Sequence, residues 1–417
     1  MSNTQKKNLP ELRFPGFEGE WEEKKLGEIF QIISGSTPLK SNKKFYENGN
    51  INWVKTTDLN NSKVTHSKEK ITEYAMNSLK LKLVPKNSVL IAMYGGFNQI
   101  GRTGLLKIDA TINQAISALL MNHETNPEFI QAYLNYQVKG WKRYAASSRK
   151  DPNITKKDIE QFKVPYVSIN EQQKIGEFFS KLDRQIELEE QKLELLQQQK
   201  KGYMQKIFSQ ELRFKDENGE DYPEWEEKQL GELGVTYAGL SGKAKEDFGF
   251  GKDVYVSYVN VFKNNIATLE MVENVSIKPG EKQNNVKFGD ILFTTSSEVP
   301  HEVGMSSVWL YEKDNVYLNS FCFGFRTTVS FINPIFLARY LRSFEMRKLI
   351  TILAQGSTRF NISKKELMKL IVKIPRLDEQ NRIINLFSIL DGGIELQSMK
   401  VRKLKKRKQG LLQKMFI

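Results

Sequence analysis

One stretch of this chain occurs twice, and that repeat restricts the fold more than any other feature. Residues 170–208 match residues 378–416 at an offset of 208, with 17 of 39 paired positions identical. Both copies place apolar side chains at alternating steps of three and four. The first copy has Ile175, Phe179, Leu182, Ile186, Leu193 and Leu196, continuing to Tyr203 and Ile207. The second has Ile383, Phe387, Leu390, Ile394, Val401 and Leu404, continuing to Leu411 and Met415. A 3.5-residue period describes a coiled-coil seam, narrower than the stripe of an ordinary core-facing helix. Even the polar interruptions coincide, Glu189 with Gln397 and Lys200 with Lys408. Each helix would extend roughly 58 Å at 1.5 Å per residue. Two long helices with matching seams are expected to pair with each other, antiparallel, with Asn170 and Asp378 as their caps.

The rest of the chain is duplicated in step. Glu-Leu-Arg-Phe at 11–14 returns at 211–214, and Trp-Glu-Glu-Lys-Lys-Leu-Gly-Glu at 21–28 returns, with one change, at 225–232. Within each unit short β-like runs come first, 51–54 with 254–259 and 88–93 with 290–294. A third pair centres on Ile112-Asn113-Gln114 and Leu318-Asn319-Ser320. Asn126-Pro127 and Asn333-Pro334 then each open a helix, Asn at the cap and Pro at the first helical position. A basic loop follows, with Arg149 and Lys150 in the first unit and Arg359 in the second. The expected fold is α+β: two similar globular α/β domains separated by two long antiparallel coiled-coil helices, in a pseudo-two-fold internal repeat. The boundaries read as an N-terminal segment (1–19), a first domain (20–168), a central helix (169–210), a linker (211–223), a second domain (224–376) and a C-terminal helix (377–417).

A chain with 63 Lys+Arg against 49 Asp+Glu, formal charge +14, favours a polyanionic partner. No apolar run is long enough for a membrane span, and the polar N-terminus lacks the core of a signal peptide. A single cysteine, Cys322, excludes an internal disulfide and fits a reducing cytoplasm. With three scattered histidines besides, a structural metal site is not expected.

No catalytic motif is complete. Asn333-Pro334-Ile335-Phe336 has the outline of an adenine-methyltransferase loop, yet its twin is Asn126-Pro127-Glu128-Phe129 and both sit where a helix should start. Phe248-Gly249-Phe250-Gly251 lacks the strand-turn-helix context of a cofactor loop, and Gly242-Lys243 fails as a phosphate loop. The positive signal is a mixture of basic, polar and aromatic residues in each unit. Ser36, Thr37, Lys40, Lys43, Lys44, Lys55, Thr56 and Arg102, with Arg149 and Lys150, are the candidate DNA contacts of the first unit. Ser241, Lys243, Tyr258, Asn260, Lys263 and Arg359 are those of the second. Lysine and arginine reach phosphates, while amides, hydroxyls and arginine pair with base edges. Off the helical seam, Phe178, Leu188, Leu195, Leu386 and Leu396 are apolar and are candidates for docking a further helical partner.

The Trp-Glu-Glu-Lys-x-Leu-Gly-Glu entry segments, the Asn-Ile-(Ser/Thr)-Lys-Lys-(Asp/Glu) elements at 153–158 and 361–366, and the Pro-to-Glu-Gln helix starts at 165–172 and 375–380 carry a resemblance. Over nearly its whole length the chain resembles the specificity subunits of type I restriction-modification systems. That resemblance implies two target recognition domains, each reading one half of a bipartite, gapped double-stranded DNA sequence. It implies helices that set the spacing and dock two methyltransferase subunits, with restriction/translocase subunits completing the assembly. The subunit itself would be non-catalytic and bind no cofactor, leaving S-adenosylmethionine, ATP and Mg to its partners. With half-sites of about three to five bases, as the resemblance implies, and centres about one helical turn apart, an unread spacer of about five to eight base pairs is expected. Divergence between 40–86 and 243–287 implies different half-sites. A stand-alone architectural DNA-binding protein or repressor is the alternative, and a coiled-coil adaptor is a third reading that salt-sensitive DNA binding would oppose.

Overall fold

Both helix starts are set by a glutamate-glutamine pair, in the computed structural model that describes residues 8–96, 98–145 and 153–416. The first long helix spans Ile169–Phe208 and the second Leu377–Met415. The first begins one residue ahead of the expected cap. Ser168 takes that role, its Oγ accepting from the Glu171 amide at 3.3 Å, so Asn170 lies inside the helix. Asp378 is likewise inside, its carboxylate accepting from the next amide, Glu379, at 3.1 Å.

The fully buried Gln172 makes the decisive contacts at the first start. Its Oε1 accepts from the Asn126 amide (3.0 Å), and its Nε2 donates to the carbonyls of Glu124 (3.1 Å) and Val167 (2.8 Å). Gln380 repeats this with the Asn333 amide (2.8 Å) and the carbonyls of Phe331 (2.9 Å) and Pro375 (2.8 Å). One side chain thereby joins a long helix to the cap of the Asn-Pro helix. Those helices span Pro127–Tyr136 and Pro334–Tyr340, with Asn126 and Asn333 accepting from Phe129 and Ile335 amides. Their Asn-Pro signature is a helix start.

Glu171 is also buried, and the Glu-Leu-Arg-Phe segment explains why. Arg13 Nε and Nη2 grip its two carboxylate oxygens at 2.7 and 2.8 Å, which raises the arginine pKa. Arg213 stands 3.6 Å from Glu379 in the second copy, where burial pushes that carboxyl up. The entry strand Glu22–Lys25 pairs antiparallel with the exit strand Lys163–Tyr166, and Glu226–Gln229 pairs with Ile371–Ile374. Each domain is therefore closed by its own ends.

Two units result, one of Met1–Lys192 with Gln397–Ile417 and one of Leu193–Leu396. The first carries a five-stranded sheet in the order Gln31–Ser34, Ile116–Leu120, Val89–Ala92, Thr103–Leu106, Ser62–Val64. The second has the four-stranded counterpart Gly234–Ala238, Cys322–Thr327, Ile291–Thr294, Ser306–Val308, with only a parallel bridge from Ile266 where the fifth strand would be. A smaller sheet accompanies each, Glu69–Ile71, Ile51–Val54, Thr111–Ile112 in one and Val272–Val275, Phe248–Val256, Val316–Leu318 in the other. The expected strand 254–259 stops at Val256. Ser257 caps the helix Tyr258–Lys263 by accepting from the Asn260 amide.

Each unit contains one end of each long helix, and the two ends pair antiparallel. In the first unit Asp183 meets Lys408, while Glu189 meets Lys400 (2.6 Å) and Glu190 meets Lys405 (2.5 Å), so the residues further along the first helix meet earlier residues of the second. Ile175, Phe179, Ile186 and Val401 are buried between them, with Leu182 and Leu404 half-buried. Ile383 and Phe387 are buried in the second unit, where Leu193, Leu196, Leu390 and Ile394 are half-buried. Phe416 stacks on Phe179 and Phe208 on Phe387, both at 5.8 Å. The polar seam positions are paired. Gln397 donates to the Glu189 carboxylate (2.7 Å) and carbonyl (2.8 Å), and Lys200 holds Asp391 at 2.5 Å. Tyr203, at the end of the predicted seam, is exposed, and the adjacent Met204 packs against the core instead. A straight helix drifts about 20° per heptad from a 3.5-residue repeat, which moves the contact over by the last turn.

Replacing Gln172 by Leu should strip three main-chain groups of their partners and cost on the order of 3 kcal/mol. The exposed neighbour Gln173→Leu should change stability by less than about 0.5 kcal/mol. Denaturant midpoints of the two proteins measure the difference; equal midpoints would contradict this role for Gln172.

Candidate nucleic-acid interface

The candidate contacts hang on a local construction that both units repeat. Asn113 donates its amide to the Val54 carbonyl (3.0 Å), and its Oδ1 accepts from the Ala115 amide (3.2 Å). Asn319 does the same with Val256 (3.1 Å) and Phe321 (2.9 Å). Gly35 and Gly239 pass so close to these turns that an added Cβ would lie 1.9 Å from the Ile112 carbonyl and 2.2 Å from that of Asn319. Only glycine allows the loops that follow to be delivered to this edge.

In the first unit, Ser36 accepts from the Trp53 indole at 3.3 Å and Tyr46 donates to the Pro38 carbonyl at 2.6 Å. Thr37 is hydrogen-bonded to Gln114, which ties the loop to the Asn113 turn. Phe45 anchors the far side, buried and stacked on Tyr74. Between these anchors Lys40, Lys43 and Lys44 are exposed, and Lys43 has only a loose 3.8 Å contact with Glu47. The fold thus brings Ser36, Thr37, Lys40, Lys43 and Lys44 into one loop. Lys55 is half-buried, paired with Glu69 and 5.7 Å from the Trp53 ring. Thr56 is a correction: it is 8% exposed because it opens a short turn with its side chain inward. Arg102 belongs to a different loop, its Nε donating to the Asn98 carbonyl at 3.2 Å. Arg149 and Lys150 lie outside the described residues.

Two expectations in the second unit are overturned. Lys243 has only 3% of its side chain exposed, gripped by Glu281 and the Ser276 carbonyl, each at 2.6 Å. That ammonium and neighbouring donors hold the Glu281 carboxyl down to about 2. Asn260 is wholly buried, donating to the Thr268 carbonyl (2.8 Å) while its Oδ1 accepts from the Thr268 amide and the Asn264 side chain. Both satisfy the protein's own polar groups. Ser241 is exposed but doubly bonded to Gln283, and Lys263 is exposed at the end of its helix.

Tyr258 and Arg359 come together on a concave surface of about 380 Å³. Tyr258 donates to the Ser296 carbonyl (2.7 Å) and stacks parallel to Phe262, and burial raises its phenol pKa. Arg359 donates through Nε to the Ser296 hydroxyl (3.2 Å), and its guanidinium lies 5.0 Å from the Phe321 ring. A hairpin places it: Ala354–Gln355 pairs with Phe360–Ile362, which pairs with Ser296–Ser297. The exposed Phe321 and the Ser296–Ser297 edge had not been singled out. Phe321 stands two residues after Asn319, a landmark visible in sequence. The serine edge shows no signal until the hairpin forms. Phe250, 55% exposed between two glycines of positive φ, tips a β-bulge in the strand Phe248–Val256, where the sequence had only the outline of a cofactor loop.

On the long helices Leu188 (48%), Leu195 (55%) and Leu396 (65%) are exposed. Phe178 and Leu386 are corrections. Phe178 packs against Phe14 of the first Glu-Leu-Arg-Phe segment at 5.7 Å, and Leu386, like Phe214 of the second, packs against the core of its unit. Ile389, 73% exposed, is an apolar position the seam analysis missed. Among the described residues no group of His, Cys, Asp and Glu could hold a metal ion, and no helix is long and apolar enough to cross a membrane.

The family profile described as "Type I restriction modification DNA specificity domain" matches residues 18–198 and 222–406. The EcoR124I/EcoR124II specificity subunit of Escherichia coli is 32% identical over 198 residues, 46% of this chain, and the match spans about half of that relative (49%). The MjaVIII specificity subunit of Methanocaldococcus jannaschii is 22% identical over 97% of this chain and 93% of its own length. The crystal structure of the S subunit from M. genitalium shares the fold, with a TM-score of 0.58 at 17% identity, over 98% of this chain and 99% of that one. The repeated domains, paired helices and matched profile agree: this chain belongs to the family of type I restriction-modification DNA specificity subunits.

Proposed function

We propose that each α/β domain reads one half of a bipartite, gapped double-stranded DNA target. The observation that carries this is a single construction, the Asn113 or Asn319 turn, presenting different exposed residues in each unit. The first unit offers Thr37, Lys40, Lys43 and Lys44; the second offers Arg359, Phe321 and Lys263. The lysines suit phosphates. Arg359 is held on a ring through its Nε side, which leaves its outer edge free to pair bidentately with a base. Ser36, Lys55, Arg102, Ser241 and Tyr258 serve as supports or secondary contacts, and the domains extend over about 20–168 and 224–376.

The helices set the gap and dock two methyltransferase subunits through Leu188, Leu195 and Leu396. Those partners, with restriction/translocase subunits, carry S-adenosylmethionine, ATP and Mg chemistry in the cytoplasm, and this chain supplies no catalytic group. A repressor acting alone would have no use for the exposed leucines.

Methylation mapping in cells making the whole complex tests the base reading. Arg359→Ala should relax one position of one half-site, worth about 1–3 kcal/mol of discrimination. Changing Lys40, Lys43 and Lys44 together to Ala should leave the motif intact, while the log–log salt slope of DNA binding falls by about three. A motif unchanged by Arg359→Ala, in a folded complex, would remove Arg359 from base reading.

Exchange of residues 20–166 for those of a relative tests independence. The segment includes both strands that close the domain, Glu22–Lys25 and Lys163–Tyr166, so it should fold in its new setting. One half-site should change and the other persist; a folded chimera altered in both halves contradicts independent reading.

A further inference from the structure

The second unit shows what the first lacks. Arg339, on the helix Pro334–Tyr340 and only 3% exposed, places Nη1 2.9 Å from Asp391 Oδ2. Its guanidinium lies 5.2 Å from the centre of the Phe387 ring. The other oxygen of the same carboxylate, Oδ1, takes Lys200 at 2.5 Å. A buried guanidinium thus fills the corner between helix and domain, lying on an aromatic ring and sharing an aspartate with a lysine.

In the first unit the corresponding residues are Ala132, Phe179, Asp183 and Lys408. The lysine pair is kept, with Lys408 on Asp183 Oδ1. The arginine is not. Where its side chain would lie, the surface opens into a cleft of about 840 Å³ lined by Ala132, Phe179 and Asp183. Asp183 Oδ2 has no partner among the described residues, and 44% of the Asp183 side chain is exposed. Of the other charged residues around the cleft, all but Lys63 face an opposite charge. Arg184 pairs with Glu187 (2.8 Å), Lys405 with Glu190 (2.5 Å) and Lys107 with Glu128 (3.0 Å), and Lys63 donates to Ser180 (3.1 Å). The cleft leaves open one carboxylate oxygen, one helical turn from Phe179, in a space far larger than a single cation.

We infer that this cleft receives an arginine of a protein partner, its guanidinium on Asp183 and Phe179 as Arg339 sits on Asp391 and Phe387. A polypeptide fits better than a free ion. The volume accommodates a chain turn around the guanidinium, and the cleft wall from Glu187 to Glu190 runs past the exposed Leu188. The partner is the methyltransferase subunit, which rests on the functional reading above. The two halves of the chain then offer unequal sockets, one open and one plugged by the chain's own Arg339.

Ala132→Arg should plug the first socket from within. In the full-length chain with its methyltransferase, this variant should melt no lower than the parent and bind the enzyme at least tenfold more weakly. Asp183→Asn, which removes the carboxylate charge but keeps an oxygen that can still accept from Lys408, should give the same loss, with its melting temperature measured beside that of the parent. N-acetyl-arginine amide, titrated as the probe, should shift the Ala132 and Asp183 resonances of the parent and not those of Ala132→Arg. Parental affinity in both variants, or a probe without effect on the parent, overturns the inference. If Leu188→Glu with Leu396→Glu releases the methyltransferase while both socket variants keep it, the socket alone is refuted. If the parent binds no methyltransferase at all, the functional reading fails with it.

Discussion

The structure depends on how each long helix is attached to its domain. A helix of about 40 residues with a narrow apolar seam gains little by itself, because most helical stability comes from packing. The attachment is polar and buried. Gln172 and Gln380 each satisfy one amide and two carbonyls of the adjoining chain, while Arg13 grips Glu171 with two hydrogen bonds and Arg213 stands 3.6 Å from Glu379. Buried polar groups of this kind are costly unless paired, so they tolerate few alternative geometries. That intolerance gives the helix a defined exit direction, which a purely apolar contact would leave loose.

The same logic governs the pairing of the helices. Apolar seams alone permit slippage by a heptad, and polar residues within them remove that freedom. Gln397 on Glu189, Lys408 on Asp183 and Lys200 on Asp391 are satisfied in the observed register. Because the repeat places equivalent residues in both units, each unit also serves as a control for the other. Arg339 against Ala132 is the clearest difference. It changes a filled corner into an open cleft while the surrounding aspartate, lysine and phenylalanine stay the same.

Much of the architecture was legible in sequence because the signals are local. A 3.5-residue period, an Asn-Pro pair and a glycine before a tight approach each act over a few residues, and duplication let every signal be read twice. The candidate interface was legible only in part. Lys40 and Lys243 look alike in sequence, both basic and near a Ser-Gly turn. One is exposed and the other is bound to Glu281, 38 residues further on. Asn260 looks like a base reader, yet it serves the Thr268 main chain. Arg359 could be nominated, but not its setting, since Ser296 reaches it from a strand 63 residues away and Phe321 from a turn 38 residues away.

By itself, the sequence determined the duplicated α/β plan, two long pairing helices, the basic balance and the family resemblance. Short-range spacing and composition are enough to encode each of these. Tertiary structure decided which charges are free and which are spent inside the fold, because a lysine's availability depends on whichever carboxylate the chain brings to it. It also decided that Phe178 and Leu386 belong to cores while Leu188 and Leu396 remain exposed, since the segments that cover a helix come from elsewhere in the chain. And it decided that one aspartate is saturated and its twin half-open, a difference of one side chain, Arg339 against Ala132, across a corner that no linear reading brings together.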